Sequence, residues 1–295
     1  MSFKILSLDG GGIRGLISLE ILKRLTNSYP KLITTVDLIA GTSTGGIIAL
    51  LLANGSSVQS IINLYYNNGY TIFDPIRWSF NGYAKCKYSN KQLKKILYEK
   101  FKDVILGQLN KPVLIPSFDL DCIYTNTRKW KPKFYSTLMS DGIDVLEYAR
   151  DVALYTSAAP TYFPIANSHI DGGIMANNPA VFAVFEAVSA GVPLSDIVVL
   201  SISTGEVAKY IKVNGSGKWG TLKWLPEIID IMMDSNIDLS TYGCNKLLGD
   251  KFCRLDPEMK KSIKLDDWEQ RDELLSIGAQ CDLNSAISWI DTNWR

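Results

Sequence analysis

The sequence predicts an α/β protein in which a mostly parallel sheet is covered by helices. A short apolar run, a glycine turn and a helix-spaced segment occur in that order, and the order then repeats. A further run at residues 197–203 is apolar enough to be buried on both faces, as strands of parallel sheets are.

Residues 4–8 form the first strand candidate, and Asp9-Gly10-Gly11-Gly12 is the turn behind it. Ile13, Leu16, Ile17, Ile21, Leu22 and Leu25 then recur at three- and four-residue steps, the period of an amphipathic helix. Residues 36–40 give a second buried strand, and 41–46 a sharp turn. A buried helix through Ile47, Ile48, Leu51 and Leu52 is stopped by Asn54-Gly55. Residues 73–88, with Pro75, Gly82 and mixed aromatic and basic side chains, break the rhythm and read as a long loop. A helix over 90–101, strands at 113–119 and 122–126, and a helix over 181–190 follow. After the strand at 197–203 comes a glycine-rich loop to Gly220, then helices over 222–234 and 267–289. Neither an internal repeat nor a Pro/Gly/Ser-rich linker divides the chain. The expectation is one domain over 1–295, with 5–181 as a motif-bearing core and 182–295 completing the fold.

Composition narrows the function classes. Apolar residues make up 46% of the 295 residues and charged ones 21%, enough for a sizeable core and too few charges for a disordered chain. The balance of 31 basic against 30 acidic residues argues against a dedicated nucleic-acid surface. The five cysteines are odd in number, widely spaced and lack a CxxC pair, which suits free thiols better than disulfides or zinc. The apolar run at 47–53 is far short of the roughly 20 residues a spanning helix needs. Met1-Ser2-Phe3-Lys4 leads straight into the first strand without the apolar stretch of a secretory leader. A cytoplasmic protein, able at most to sit on a membrane surface, is expected.

Gly41-Thr42-Ser43-Thr44-Gly45 fits G-x-S-x-G and lies between strand and helix, as a nucleophile elbow requires. The glycines permit the tight turn that presents Ser43, and the following helix points its amides at an anion formed there. Gly10, Gly12 and Gly15 satisfy G-x-G-x-x-G, which opens two readings: an oxyanion hole, or a cradle for a nucleotide phosphate. The nucleotide reading needs an acid at the end of the second strand, where Ile39-Ala40-Gly41 stands instead. Arg14 could face an anionic headgroup or oxyanion. Asp171-Gly172-Gly173 supplies a carboxylate on a loop able to approach the elbow. His169 is the chain's sole histidine, two residues from Asp171, and is poorly spaced for a Ser-His-Asp triad. A direct Ser43–Asp171 pair is simpler, provided burial raises the pKa of Asp171 enough to make it a useful base.

Taken in order, Asp9-Gly10-Gly11-Gly12-Ile13-Arg14-Gly15, Gly41-Thr42-Ser43-Thr44-Gly45 and Asp171-Gly172-Gly173 resemble the patatin-like phospholipase family. Ala158-Ala159-Pro160-Thr161-Tyr162-Phe163-Pro164 and Lys218-Trp219-Gly220 add to the match. The resemblance implies a three-layer α/β/α fold with a central mostly parallel sheet. It also implies Ser43 as nucleophile, Asp171 as base and the amides around Gly10, Gly11 and Gly12 as oxyanion donors; Arg14 and Thr44 are expected beside them at the substrate. No metal or organic cofactor is implied. The implied partners are phospholipids or other acyl lipids at a membrane surface, with an activator left open. Phe73, Ile76, Trp78 and Phe80, interleaved with Arg77, Lys85 and Lys87, suit a loop that touches a bilayer, with Lys91, Lys94 and Lys95 on the helix behind it. An ordinary packed loop with a solvated helix face behind it is the other reading.

Overall fold

The computed structural model describes residues 2–76, 85–124, 127–139, 142–212 and 217–294. The first elements are β1 (Phe3–Leu8), a 3-10 turn at Gly12–Arg14, α1 (Gly15–Ser28), β2 (Leu38–Gly41), α2 (Thr44–Ala53) and α3 (Val58–Ile72). Next come α4 (Lys91–Phe101), β3 (Val113–Tyr124), β4 (Thr127–Ser136), α5 (Ala149–Thr156), β5 (His169–Asp171), α6 (Gly173–Ala176) and α7 (Ala180–Ser189). The remainder holds β6 (Ile197–Ile202), α8 (Thr221–Leu248), β7 (Phe252–Leu255), α9 (Arg271–Gln280) and α10 (Asn284–Asn293).

The strands form one sheet in the order β4-β3-β2-β1-β6-β7, with β5 pairing separately to β3. Neighbours from β3 to β7 along that path are parallel, whereas β4 and β5 run antiparallel to β3. Successive residues of each strand feed opposite cores. Leu6, Leu8, Ile39, Ile115 and Leu200 pack with α1, α2 and α9 on one face. Ile5, Leu38, Ala40, Leu114 and Val199 pack with α7 and the end of α8 on the other. The result is the three-layer α/β/α arrangement, with β1, β2 and β6 covered on both sides.

Register positions the site. Leu8 of β1 stands opposite Gly41 of β2 and Ile202 of β6, so three strands end at one level. Their following turns are joined there, Thr42 N donating to Leu8 O and Asp9 N to Ile202 O. Crevices beyond the carboxyl ends of parallel strands are where ligands bind in such sheets.

Several elements differ from the sequence reading. α3 has no counterpart in it. Gly69 is required: a Cβ there would lie 2.8 Å from Cβ of Trp268. The two strands expected over 113–126 are one, β3, with a register shift between Asp119 and Cys122, and Asn126 lies outside the described residues. β4 carries Arg128, Lys129, Lys131, Lys133 and Pro132, the residues that protect a sheet edge, and its position is the edge. The helix expected over 267–289 is two, α9 and α10, separated at 281–283, where the Asp282 carboxylate accepts the Asn284 amide at 2.9 Å. α8 extends 14 residues beyond the expected 234 to Leu248.

Candidate active site

Ser43 sits between β2 and α2 with φ 54° and ψ −121°, outside the regions an L side chain adopts freely. Such a conformation costs on the order of 1–3 kcal/mol and must be held by its surroundings. The flanking glycines leave no room for alternatives. A Cβ on Gly41 would lie 2.1 Å from Gly45 O, and one on Gly45 would lie 2.2 Å from Leu8 O. The Ser43 amide donates to Thr156 Oγ1 at 2.9 Å, and the Thr42 hydroxyl donates to Ala176 O at 2.6 Å. The strained turn is thus tied to α5 and α6.

Asp171 reaches the same place from β5. Ser43 Oγ donates to Asp171 Oδ2 at 2.6 Å, and Gly173 N donates to Asp171 Oδ1 at 2.7 Å. Burial pushes the Asp171 pKa up to about 7, against the opposing hydrogen bonds from Ser43 and Gly173. Gly172 cannot carry a side chain, since a Cβ would lie 2.3 Å from Pro116 O. A hydroxyl bonded to a buried carboxyl titrating near neutrality can pass its proton across as the oxygen attacks an electrophile.

The glycine loop lies against this pair. The amide of Gly10 is already committed to Asn177 O at 3.0 Å, which removes it from the expected set of substrate-facing donors. Among the described residues, the amides of Gly11, Gly12 and Thr44 donate to no protein acceptor. Gly12 adopts φ +58°, and a Cβ on it would strike Leu265 O at 2.2 Å. The Thr44 hydroxyl donates to Tyr65 Oη at 2.7 Å, so its side chain is occupied while its amide opens α2. Arg14 lines the pocket, and burial lowers its pKa against the pull of Asp234 and Asp230.

Ser43 and Asp171 both open into a pocket of about 220 Å³. Its deep wall is apolar, from Ile47 of α2, Leu64 and Ile72 of α3, and Leu93, Ile96 and Leu97 of α4. Pro160, Tyr162 and Phe163 of the Ala-Ala-Pro-Thr-Tyr-Phe-Pro stretch close another side. The mouth is polar, with Arg14, Lys209, Asp230, Asp234 and Lys264. No cluster of three or more His, Cys, Asp or Glu able to hold a metal occurs among the described residues. The five cysteines are free thiols.

His169 is otherwise engaged. Its Nδ1 donates to Asn167 O at 2.6 Å, its Nε2 bonds Tyr135 Oη at 2.9 Å, and its ring stacks on Tyr155 at 4.5 Å. Both nitrogens are spent away from Ser43.

This geometry is accompanied by a sequence match. The patatin-like phospholipase family model matches residues 6–184, more than half of the chain. The chain belongs to the patatin-like phospholipase family. Protein teg of Priestia megaterium is 29% identical over 323 residues, with 99% of each chain aligned. CotR of Bacillus subtilis is 30% identical over 322 residues, covering 99% of this chain and 98% of that protein. A cGAMP-activated phospholipase of Pseudomonas aeruginosa is 28% identical over 279 residues, covering 89% of this chain and 82% of its own. As a patatin-like protein, the chain is a hydrolase of lipid-like substrates in that general sense.

Sequence reasoning missed the supports of this patatin-like site. Thr156 and Tyr65 contact the motif residues from elsewhere in the chain, and no local pattern marks them. Asn177 is buried in the pocket wall, and its Oδ1 has no hydrogen-bond partner among the described residues. Arg254 of β7 lies beyond the family match. It donates to Asp9 Oδ2 at 2.8 Å, Asp256 Oδ2 at 2.8 Å and Ser201 Oγ at 2.9 Å. Burial raises the Asp9 pKa to about 6 against the pull of Arg254, and the ion pair between the two anchors the glycine loop.

Of the loop expected at a bilayer, Phe73 packs on Tyr88 and Phe163, and Lys87 is ion-paired to Asp266. Arg77, Trp78 and Phe80 lie outside the described residues. No described helix is long and apolar enough to cross a membrane.

Proposed function

We propose that the chain is a phospholipase A or lysophospholipase type enzyme that cleaves carboxylic esters of membrane lipids through Ser43 and Asp171. The observation carrying this reading is the 2.6 Å hydrogen bond from Ser43 Oγ to Asp171 Oδ2 at a positive-φ turn inside an apolar pocket. Ser43 Oγ attacks the ester carbonyl while its proton moves to Asp171 Oδ2. The negative charge that develops on the carbonyl oxygen is met by the amides of Gly11 and Gly12, with the N-terminus of α2 behind them. Collapse breaks the ester C–O bond, and the departing alkoxide takes the proton from Asp171. A water then attacks the acyl-Ser43 ester, giving a proton to Asp171, and Asp171 returns that proton to Ser43 Oγ as the Oγ–acyl bond breaks and the fatty acid leaves.

The apolar wall between α2, α3 and α4 suits an acyl chain, and Arg14 at the mouth suits an anionic headgroup. The nucleotide-cradle reading of Gly10, Gly12 and Gly15 has less support, since the Gly10 amide is taken and the loop faces Ser43. Ser43→Ala should abolish release of fatty acid from phosphatidylcholine and of nitrophenol from a p-nitrophenyl ester. A fluorophosphonate probe should label the parent protein at Ser43. Retained turnover in Ser43→Ala would remove the proposal.

A further inference from the structure

The helix α8 presents three faces. Ser240 and Cys244 are buried, and Asp230, Met233 and Asp234 turn to the pocket that holds Ser43. A third face leaves Trp224, Ile228, Ile231, Met232, Leu239 and Tyr242 exposed, Leu239 at 69% and Tyr242 at 63%. At about 100° per residue these six side chains fall within an arc of roughly 100° over about 27 Å, with the exposed Ser235 between Met232 and Leu239. Scattered exposed apolar residues need no explanation, but six aligned on one helix face mark an interaction surface.

Three features identify the occupant. Each end of the stripe carries a lysine over an aromatic ring: Lys223 Nζ lies 3.9 Å from the Trp219 ring centre, and Lys246 Nζ 5.5 Å from that of Tyr242. The Trp219 and Trp224 rings lie 5.2 Å apart at the same end. Tryptophan and tyrosine in an apolar face, with lysine stems beside them, favour the headgroup region in which a flat-lying helix sits. Second, the two pocket-facing acids are drawn away from the stripe by Lys209, which bonds Asp230 at 3.2 Å and Asp234 at 3.1 Å. Third, the helix that carries the stripe also forms part of the pocket wall, so a lipid leaving the surface has a short path to Ser43.

We infer that the exposed face of α8 lies flat in the surface of a phospholipid bilayer and brings the pocket mouth to its substrate. This deepens the lipid-hydrolase reading and rests on it in taking a lipid surface, rather than a second copy, as the partner. The contact is chiefly apolar, because Glu227 and Asp238 flank the stripe and weaken any pull from anionic lipid. Neutral phosphatidylcholine vesicles are therefore the probe.

The full-length Ser43→Ala protein should co-sediment with phosphatidylcholine vesicles, with little dependence on salt. Leu239→Glu combined with Tyr242→Glu should weaken that partitioning about ten-fold or more. In the active enzyme the same pair should reduce hydrolysis of vesicle lipid by a similar factor, while turnover of a soluble p-nitrophenyl ester and the melting temperature stay unchanged. Equal partitioning with and without the pair would overturn the inference. So would a dimer in sedimentation velocity that the pair dissociates, with no vesicle binding by the parent. Because binding is read on the Ser43→Ala protein, this result is independent of whether Ser43 proves to be the nucleophile.

Discussion

Thr156, the last residue of α5, accepts a hydrogen bond from the Ser43 amide at 2.9 Å and donates its own proton to Pro116 O at 2.6 Å. One buried hydroxyl therefore joins the strained turn to β3. Thr156→Val keeps the shape and removes both bonds, leaving a buried amide and a carbonyl without partners. The expected loss is about 1–3 kcal/mol of stability. Turnover number should fall more than KM rises, since the pocket is untouched, and Thr156→Ser should recover much of both. Thermal melts and steady-state kinetics on a soluble ester check this.

Activity should follow the protonation of Asp171. The proposed base acts only as carboxylate, and burial places its pKa at about 7. For a soluble ester, kcat/KM should rise with pH through that value and then level off. A profile flat from pH of about 5 to 8 would remove Asp171 from the role of base.

Stability should run the opposite way. Asp171 holds its proton more tightly in the fold than in the unfolded chain, its pKa rising from 3.8 to about 7. Its contribution is complete below the lower value and is lost as pH rises through the higher one. Asp171→Asn removes the buried charge, so its melting temperature should gain on the parent as pH rises across that window. Paired melts at several pH values read the crossover directly.

His169→Ala should retain most turnover of a soluble ester, because both ring nitrogens bond elsewhere. It should nevertheless cost about 1–3 kcal/mol, through the lost bonds to Tyr135 and Asn167 and the stack on Tyr155. Collapse of turnover in a protein that still melts like the parent would reinstate a histidine base.

Arg254→Met should be severe. It leaves Asp9 as a buried carboxylate without its cation, a situation that costs about 3–5 kcal/mol. Adding Asp9→Asn removes the stranded charge and should restore part of the loss, a coupling that a double-mutant cycle measures.

The strand–glycine–helix repeats were legible because apolar runs and glycine turns coincide at 4–25 and 36–53, where local chemistry and tertiary role agree. That Ser43 and Asp171, 128 residues apart, share a hydrogen bond was suggested by ordered motifs and not by any local pattern. What escaped the reading depends on distant partners. Nothing near Gly69 in the sequence shows the contact with Trp268 that leaves no room for a side chain there. Thr156 looks like any helix-end threonine. The withdrawal of Gly10 from the free amides depends on a carbonyl at Asn177. The exposed stripe of α8 has the spacing of an ordinary core face, so periodicity alone assigns it to the interior.

β1, inside the sheet, owes one whole flank to β6, and Asp9 in the turn behind it owes its counter-charge to β7. A fragment ending at residue 184 would keep both glycine motifs and Asp171-Gly172-Gly173. It would also present Leu6 and Leu8 on an unpaired strand edge beside an uncompensated Asp9. Grafting the motif-bearing half onto another carboxyl-terminal segment would therefore succeed only if the replacement brought both a parallel neighbour for β1 and a cation at the depth of Arg254.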